Sequence, residues 1–201
     1  MPDGAPAIAM AELMSKGYYD TSFTVVPAAT IGARVSGGDA DLAIMPVNAA
    51  AALYNGGNKI TMLSVNTHGN LYFVGAATED MTLNSLVGKR VGVIGQGQVP
   101  DLTLRMMLDA VDGVSYEVIT GDDAVSGKVA IRYAPDGPAL LPLLGQGKID
   151  YAFLAEPAAT SAVAKFNKAI VMDAQEEWEK LFECDYPQAC LVAKTSVAEN
   201  H

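Results

Sequence analysis

Short β-branched or apolar runs alternate along this chain with stretches whose apolar residues recur at helical spacing. Residues 23–26, 42–45, 59–65, 71–75, 90–94, 129–133, 151–154, 169–172 and 189–193 read as strands. After Pro6, Ala7, Met10, Ala11 and Met14 fall at i, i+3, i+4 and i+7, and after Pro100, Leu104, Met107, Leu108 and Val111 do the same. Each of these helices would bury one narrow face. Strands alternating with helices in this way predict open α/β sheets.

Both helices open on a glycine followed by proline, in Asp3-Gly4-Ala5-Pro6 and Gln96-Gly97-Gln98-Val99-Pro100. Glycine lets the chain turn sharply out of a strand, and proline is tolerated in a first helical turn, where its missing N–H has no partner to lose. Sliding the chain against itself by 109 residues brings a second correspondence. Gly38, Asp41, Ala43, Ala49 and Ala50 fall on Gly147, Asp150, Ala152, Ala158 and Ala159, and Ile44 and Met45 meet Phe153 and Leu154. Two similar lobes are expected: residues 1–72 with 190–201, an incomplete lobe, and residues 78–186, with crossovers near 65–77 and 186–193. The Gly- and Asp-containing residues 114–128 read as a surface excursion.

Composition narrows the function. The 201 residues carry 13 basic and 23 acidic side chains, a formal charge of −10, which disfavours nucleic acid as a partner. The longest apolar stretch, 40–54, is interrupted by Pro46 and Asn48 and is too short to span a bilayer. The opening Met1-Pro2-Asp3-Gly4 does not read as a signal peptide. Cys184 and Cys190 are either a disulfide in an oxidising compartment or two free thiols. No metal-ligand spacing, nucleophile elbow or phosphate loop occurs, and Gly95-x-Gly97 lacks the third glycine of a dinucleotide fingerprint, so no cofactor is expected.

The runs GARVSGGDADLAIMPVNAAAALYN, LYFV, LNSLVGKRVGVIGQGQVPDLTLRMML, LLGQGKIDYAFLAEPAAT and CLVAKTSVAEN, in that order, resemble the nitrate/sulfonate/taurine/thiamine-precursor group of ABC-transporter solute-binding proteins. The resemblance covers nearly the whole chain. It implies a type II periplasmic-binding fold, two lobes joined by two hinge strands, with a small-molecule solute held between them and delivered to an ABC-importer permease. It further implies an extracytoplasmic protein that is monomeric when complete, without catalytic residues. Members of the group have a strand before the equivalent of Asp3 and helices after the equivalent of His201, so the chain is expected to be a fragment or a truncated product.

In open α/β sheets ligands bind beyond the carboxyl ends of the strands. The residues expected there are Asp3, Gly4, Ala5, Asn48, Thr67 and His68 from the first lobe, and Gln96, Gly97, Gln98 and Glu156 from the second. Asn48 and Asp3 read equally as helix caps. His68 lines the site or occupies an ordinary turn; Glu156 accepts from the ligand or is a solvated charge; Trp178 reads as a packing residue. Helix N-termini at Asp3–Ala5 and Gln96–Gln98 favour an electronegative group, whereas Asp3 and Glu156 disfavour a small anion, which together point to a small polar organic solute. Two alternatives keep the fold and change the function. One is an enzyme of the menaquinone-pathway or pyrimidine-synthesis kind, and the other is the effector-sensing domain of a regulator, against which stands the absence of a DNA-binding segment.

Overall fold

The computed structural model describes residues 11–17, 22–78 and 80–200, and the chain divides into two units. Unit 1 comprises residues up to His68 together with those from Pro187 onward; unit 2 runs from Gly69 to Tyr186. The expected helix after Pro6 is described only from Ala11, as α1 (Ala11–Lys16).

Unit 1 continues with α2 (Ala28–Ser36), β1 (Leu42–Pro46), α3 (Val47–Asn55) and β2 (Ile60–His68), and closes with β9 (Pro187–Lys194) and α8 (Thr195–Asn200). Its sheet has the order β1-β9-β2, with β9 antiparallel to both neighbours, so β1 and β2 run parallel and form the two edges. Ile31, Val35, Met45, Ala50, Ile60, Cys190 and Val192 make the core beneath α2 and α3. The strand expected at 23–26 does not form. Val25 is exposed and Val26 makes only an isolated bridge.

Unit 2 contains β3 (Leu71–Gly75), a 3₁₀ turn (Leu83–Leu86), β4 (Arg90–Ile94), α4 (Val99–Asp109), β5 (Tyr116–Ile119), β6 (Val129–Ala134), α5 (Gly137–Gly145), β7 (Tyr151–Ala155), α6 (Ala158–Phe166), β8 (Ala169–Asp173) and α7 (Ala174–Phe182). The sheet order is β5-β6-β4-β7-β3-β8. β5, β6, β4 and β7 are parallel, and β3 is antiparallel to both β7 and β8, so β8 shares the common direction and β3 alone opposes it. The 114–128 segment, expected as a pure surface excursion, thus contributes edge strand β5, whose exposed Val118 and Glu117 gave no buried alternation to read.

The central strands are buried on both faces, and their residues divide with period two. Phe73, Val91, Val93, Ile131 and Phe153 pack with Leu104, Met107 and Leu108 of α4 and Trp178 of α7. Val74, Ala152 and Leu154 pack with Leu140, Leu141 and Leu144 of α5 and Ala159 and Ala162 of α6. Phe73 and Phe153 are register partners whose rings lie 4.6 Å apart.

The 109-residue correspondence is structural at its strands. β1 and β7 share a pattern of three buried central residues, Gly38 and Gly147 both have positive φ, and an aspartate before each strand pairs with a cation on a neighbouring segment. Asp41 Oδ1 lies 2.9 Å from Lys194 Nζ, and Asp150 Oδ1 2.7 Å from Arg90 Nη2. Asp150 also accepts from the Arg90 backbone N–H and Nε at 2.8 and 3.0 Å. Partial burial pushes the Asp150 carboxyl up, but these bonds from Arg90 outweigh it and hold the carboxyl below its ordinary value.

A carboxyl whose pKa is lower folded than unfolded stabilises the fold above the unfolded value of about 3.9, and that contribution disappears as pH falls through the folded value. Urea midpoints for the wild type and Asp150→Asn should therefore differ most near neutral pH and converge below about pH 4. A gap independent of pH would show that the ion pair contributes nothing through protonation.

Candidate functional site

The parallel strands of unit 2 deliver four helix starts to one edge: α4 follows β4, α5 follows β6, α6 follows β7 and α7 follows β8. A helix start leaves N–H groups without intrahelical partners. Here each corner supplies a carboxylate. Asp136 accepts from Ala139 N–H at 2.8 Å, Asp173 from Gln175 N–H at 2.8 Å, and Glu156 from Thr160 N–H and Oγ1 at 3.1 and 2.9 Å. At α4 the group is Asp101, third in the helix and fully buried.

Asp101 shapes the Gln96–Gln98 corner. Its Oδ2 accepts from Gly97 N–H at 2.7 Å and its Oδ1 from the Tyr133 hydroxyl at 2.5 Å, with Arg105 Nε at 3.1 Å. Burial and the bond to Asp101 push the Tyr133 phenol well up, so it remains a donor. Gly95 and Gly97 both have positive φ, the left-handed region open to glycine. Gln98 folds back over Gly95, where an added Cβ would meet its Cγ at 2.7 Å. Gln96 and Gly97 are exposed and Gln98 half-buried. At this corner, where the sequence places a helix N-terminus favouring an electronegative group, a buried carboxylate already holds Gly97 N–H.

Gln96, Gly97, Gln98 and Glu156 stand at the ends of the adjacent strands β4 and β7. Glu156 precedes Pro157 across a cis peptide, and its backbone N–H donates to Asn70 Oδ1 at 3.3 Å. Half-buried Tyr72, absent from the sequence expectations, belongs to the same edge. Its phenol is pushed up by burial, then by Asp173 and Glu156. The opposite edge carries five basic residues: Lys89 and Arg90 at the start of β4, and Lys128, Lys148 and Lys168 before β6, β7 and β8.

In unit 1, Asn48, Thr67 and His68 also share one end of a sheet. Pro46, next to the start of α3, and Thr67 on β2 both register with Ala189 of β9. Asn48 is not the cap of α3: the helix begins at Val47, so Pro46 takes the cap position and Asn48 lies in the first turn. His68 is exposed and Thr67 half-buried. Asp3, Gly4 and Ala5 lie outside the described residues. A groove of about 440 Å³ between α3 and β2, lined by Ala50, Tyr54, Ile60 and Met62, contains none of the expected site residues.

Cys184 and Cys190 are not bridged in this structure. Strand alternation turns Cys190 into the core of unit 1, 3.6 Å from Met45 O, while Cys184 is exposed after α7. Trp178 packs against Phe182 and Tyr186, as expected for a packing residue. Among the described residues no group of three or more His, Cys, Asp or Glu side chains is placed to hold a metal ion, and no helix is long and apolar enough to cross a membrane.

No protein-family model and no curated protein matches the chain. Solved structures do. An ABC transporter from Parabacteroides distasonis is similar over 98% of this chain and 65% of its own, with a TM-score of 0.74 and 22% identity. The periplasmic aliphatic sulphonate binding protein SsuA from Escherichia coli is similar over 96% and 62%, at 0.68 and 14%. Protein AF1704 from Archaeoglobus fulgidus is similar over 99% and 69%, at 0.68 and 16%. The chain has the type II periplasmic-binding fold, each unit an open sheet flanked by helices, mixed in unit 2 but purely antiparallel in unit 1 because β9 lies between the two parallel strands, and it spans about two thirds of the length of these relatives.

Replacing Asp101 by alanine leaves Gly97 N–H, the half-buried Tyr133 hydroxyl and Arg105 without their acceptor, at about 1 kcal/mol for each hydrogen bond lost and more where the group left behind is screened from water. Asp101→Ala is expected to lose about 3 kcal/mol of stability in urea unfolding, and Tyr133→Phe clearly less, because Asp101 then keeps its other partners. Equal costs would contradict the central place given to the carboxylate.

Proposed function

We propose that the chain is the solute-capturing part of an extracytoplasmic binding protein that delivers a small polar organic molecule to an ABC-importer permease. The observation carrying this reading is the polar edge at β4 and β7, where Gln96, Gln98 and Glu156 stand on a rigid sheet at the strand ends that α/β folds use for ligands. The solved binding proteins of the same fold support the transport role. The alternatives of an enzyme or a regulator domain have no specific observation in their favour.

The electrostatics bear on the solute. Carboxylates already occupy the corners of α4, α5, α6 and α7, and five basic side chains, those of Lys89, Arg90, Lys128, Lys148 and Lys168, stand at the far edge. A small inorganic anion would meet the carboxylates of Asp136, Glu156 and Asp173, while the one basic side chain among these corner residues, Arg105, is already paired with Asp101. The glutamine amides offer both donors and acceptors, and a carboxylate oxygen has two lone pairs, so Glu156 retains acceptor capacity after binding Thr160. A zwitterionic or amino-pyrimidine-like compound fits this set, without a cofactor and with the protein acting as a monomer.

Native mass spectrometry of the purified protein should detect a retained polar organic solute. Titration calorimetry with that compound should show Gln98→Ala and Glu156→Gln each weakening binding by at least about 1 kcal/mol, the scale of one hydrogen bond. A purely anionic solute, or unchanged affinity in both variants, would refute this assignment.

A further inference from the structure

Unit 2 joins the rest of the chain at two places, before Gly69 and after Tyr186. One side chain holds both. Gln175, second residue of α7, donates through Nε2 to Asp173 Oδ1 at 2.8 Å, which directs its amide oxygen the other way. That oxygen accepts from Leu71 N–H at 2.7 Å and from the Tyr186 hydroxyl at 2.7 Å. The two connections also touch directly, Gly69 N–H donating to Tyr186 O at 3.1 Å.

The surroundings leave the amide little freedom. Gly69 has φ +71°, and a Cβ there would lie 1.9 Å from Gln175 Cγ, so the side chain crosses the backbone where only glycine leaves space. Leu71 is fully buried and Tyr186 nearly so, its ring 4.9 Å from Trp178. Burial, followed by Asp173 and Tyr72, pushes the Tyr186 phenol well above its ordinary value, which keeps the hydroxyl a donor to Gln175.

We propose that Gln175 is a positioning residue that couples the two connections, so that displacement of either against the six-stranded sheet is transmitted to the other. This inference is independent of what the protein binds. Hydrogen exchange read by mass spectrometry or NMR tests it. Gln175→Leu should accelerate exchange at residues 69–72 and at Tyr186 and Gln188 together, by about tenfold or more, and leave β4 and β6 protected. Gly69→Ala should reproduce that pattern by displacing Gln175.

The decisive variant is Tyr186→Phe, which removes an anchor from one connection only. Coupling requires Leu71 N–H to exchange faster as well, although its own bond to Gln175 is intact. Unchanged exchange at Leu71 in Tyr186→Phe would overturn the proposal, as would loss of protection spread evenly through β4 and β6 in all three variants. Each of these results can be read from Tyr186→Phe or Gly69→Ala if Gln175→Leu does not fold.

Discussion

A parallel sheet covered on both faces sends every succeeding helix back to the same edge, so the positive ends of its helices accumulate there. In unit 2 this constraint brings four helix starts together; Asp136, Glu156 and Asp173 each satisfy an N–H at one of them, and Asp101 in the first turn of α4 holds the Gly97 N–H just before the helix. The arrangement uses the favourable field of the helices internally. An edge that is electropositive in backbone terms becomes one whose outward chemistry is set by amides, a phenol and residual carboxylate lone pairs. Asp101 shows the cost and the return, since a fully buried carboxylate is unfavourable unless several donors surround it, and here those donors also fix the Gly97 turn.

Unit 1 is built more sparsely. Its sheet has three strands, both outer ones lack a further partner among the described residues, and Met62 and Leu63 of β2 are exposed. An uncovered strand edge invites pairing with another chain. β2 meets β9 with three shifts of register, the kind of irregularity that twists an edge away from flat pairing. The solved proteins of this fold are about half as long again as this chain, while unit 2 already has both faces of its sheet covered.

Much of the fold could be read from periodicity because the packing is periodic. Phe73 and Val74, or Phe153 and Leu154, face opposite helical layers, and short β-branched runs announce such strands wherever both faces are buried. β5 escaped because an edge strand with an exposed Glu117 and Val118 has no such signature. The corner residues Gln96, Gln98 and Glu156 were legible from their place after strands. Asp101 was not singled out, although its position in a Pro-initiated first turn and its i+4 spacing from Arg105 are local signals; its bond to Tyr133 spans 32 residues. Gln175 gave even less, since Leu71 lies 104 residues away. Such long-range polar contacts depend on tertiary placement, which alternation of residue types does not encode.

The two cysteines differ in a way that matters at the bench. Thiolate is the reactive species, and burial pushes the Cys190 thiol up, so this sulfur is both inaccessible and protonated while the protein is folded. Cys184 stands in solvent just after α7, two residues before Tyr186. An alkylating dye added to the native protein will therefore mark a single position, next to one of the two chain connections of unit 2, and a second dye will enter only when unit 1 unfolds. The molecule thus carries a fluorescent reporter site for one unit and a chemical clock for the opening of the other.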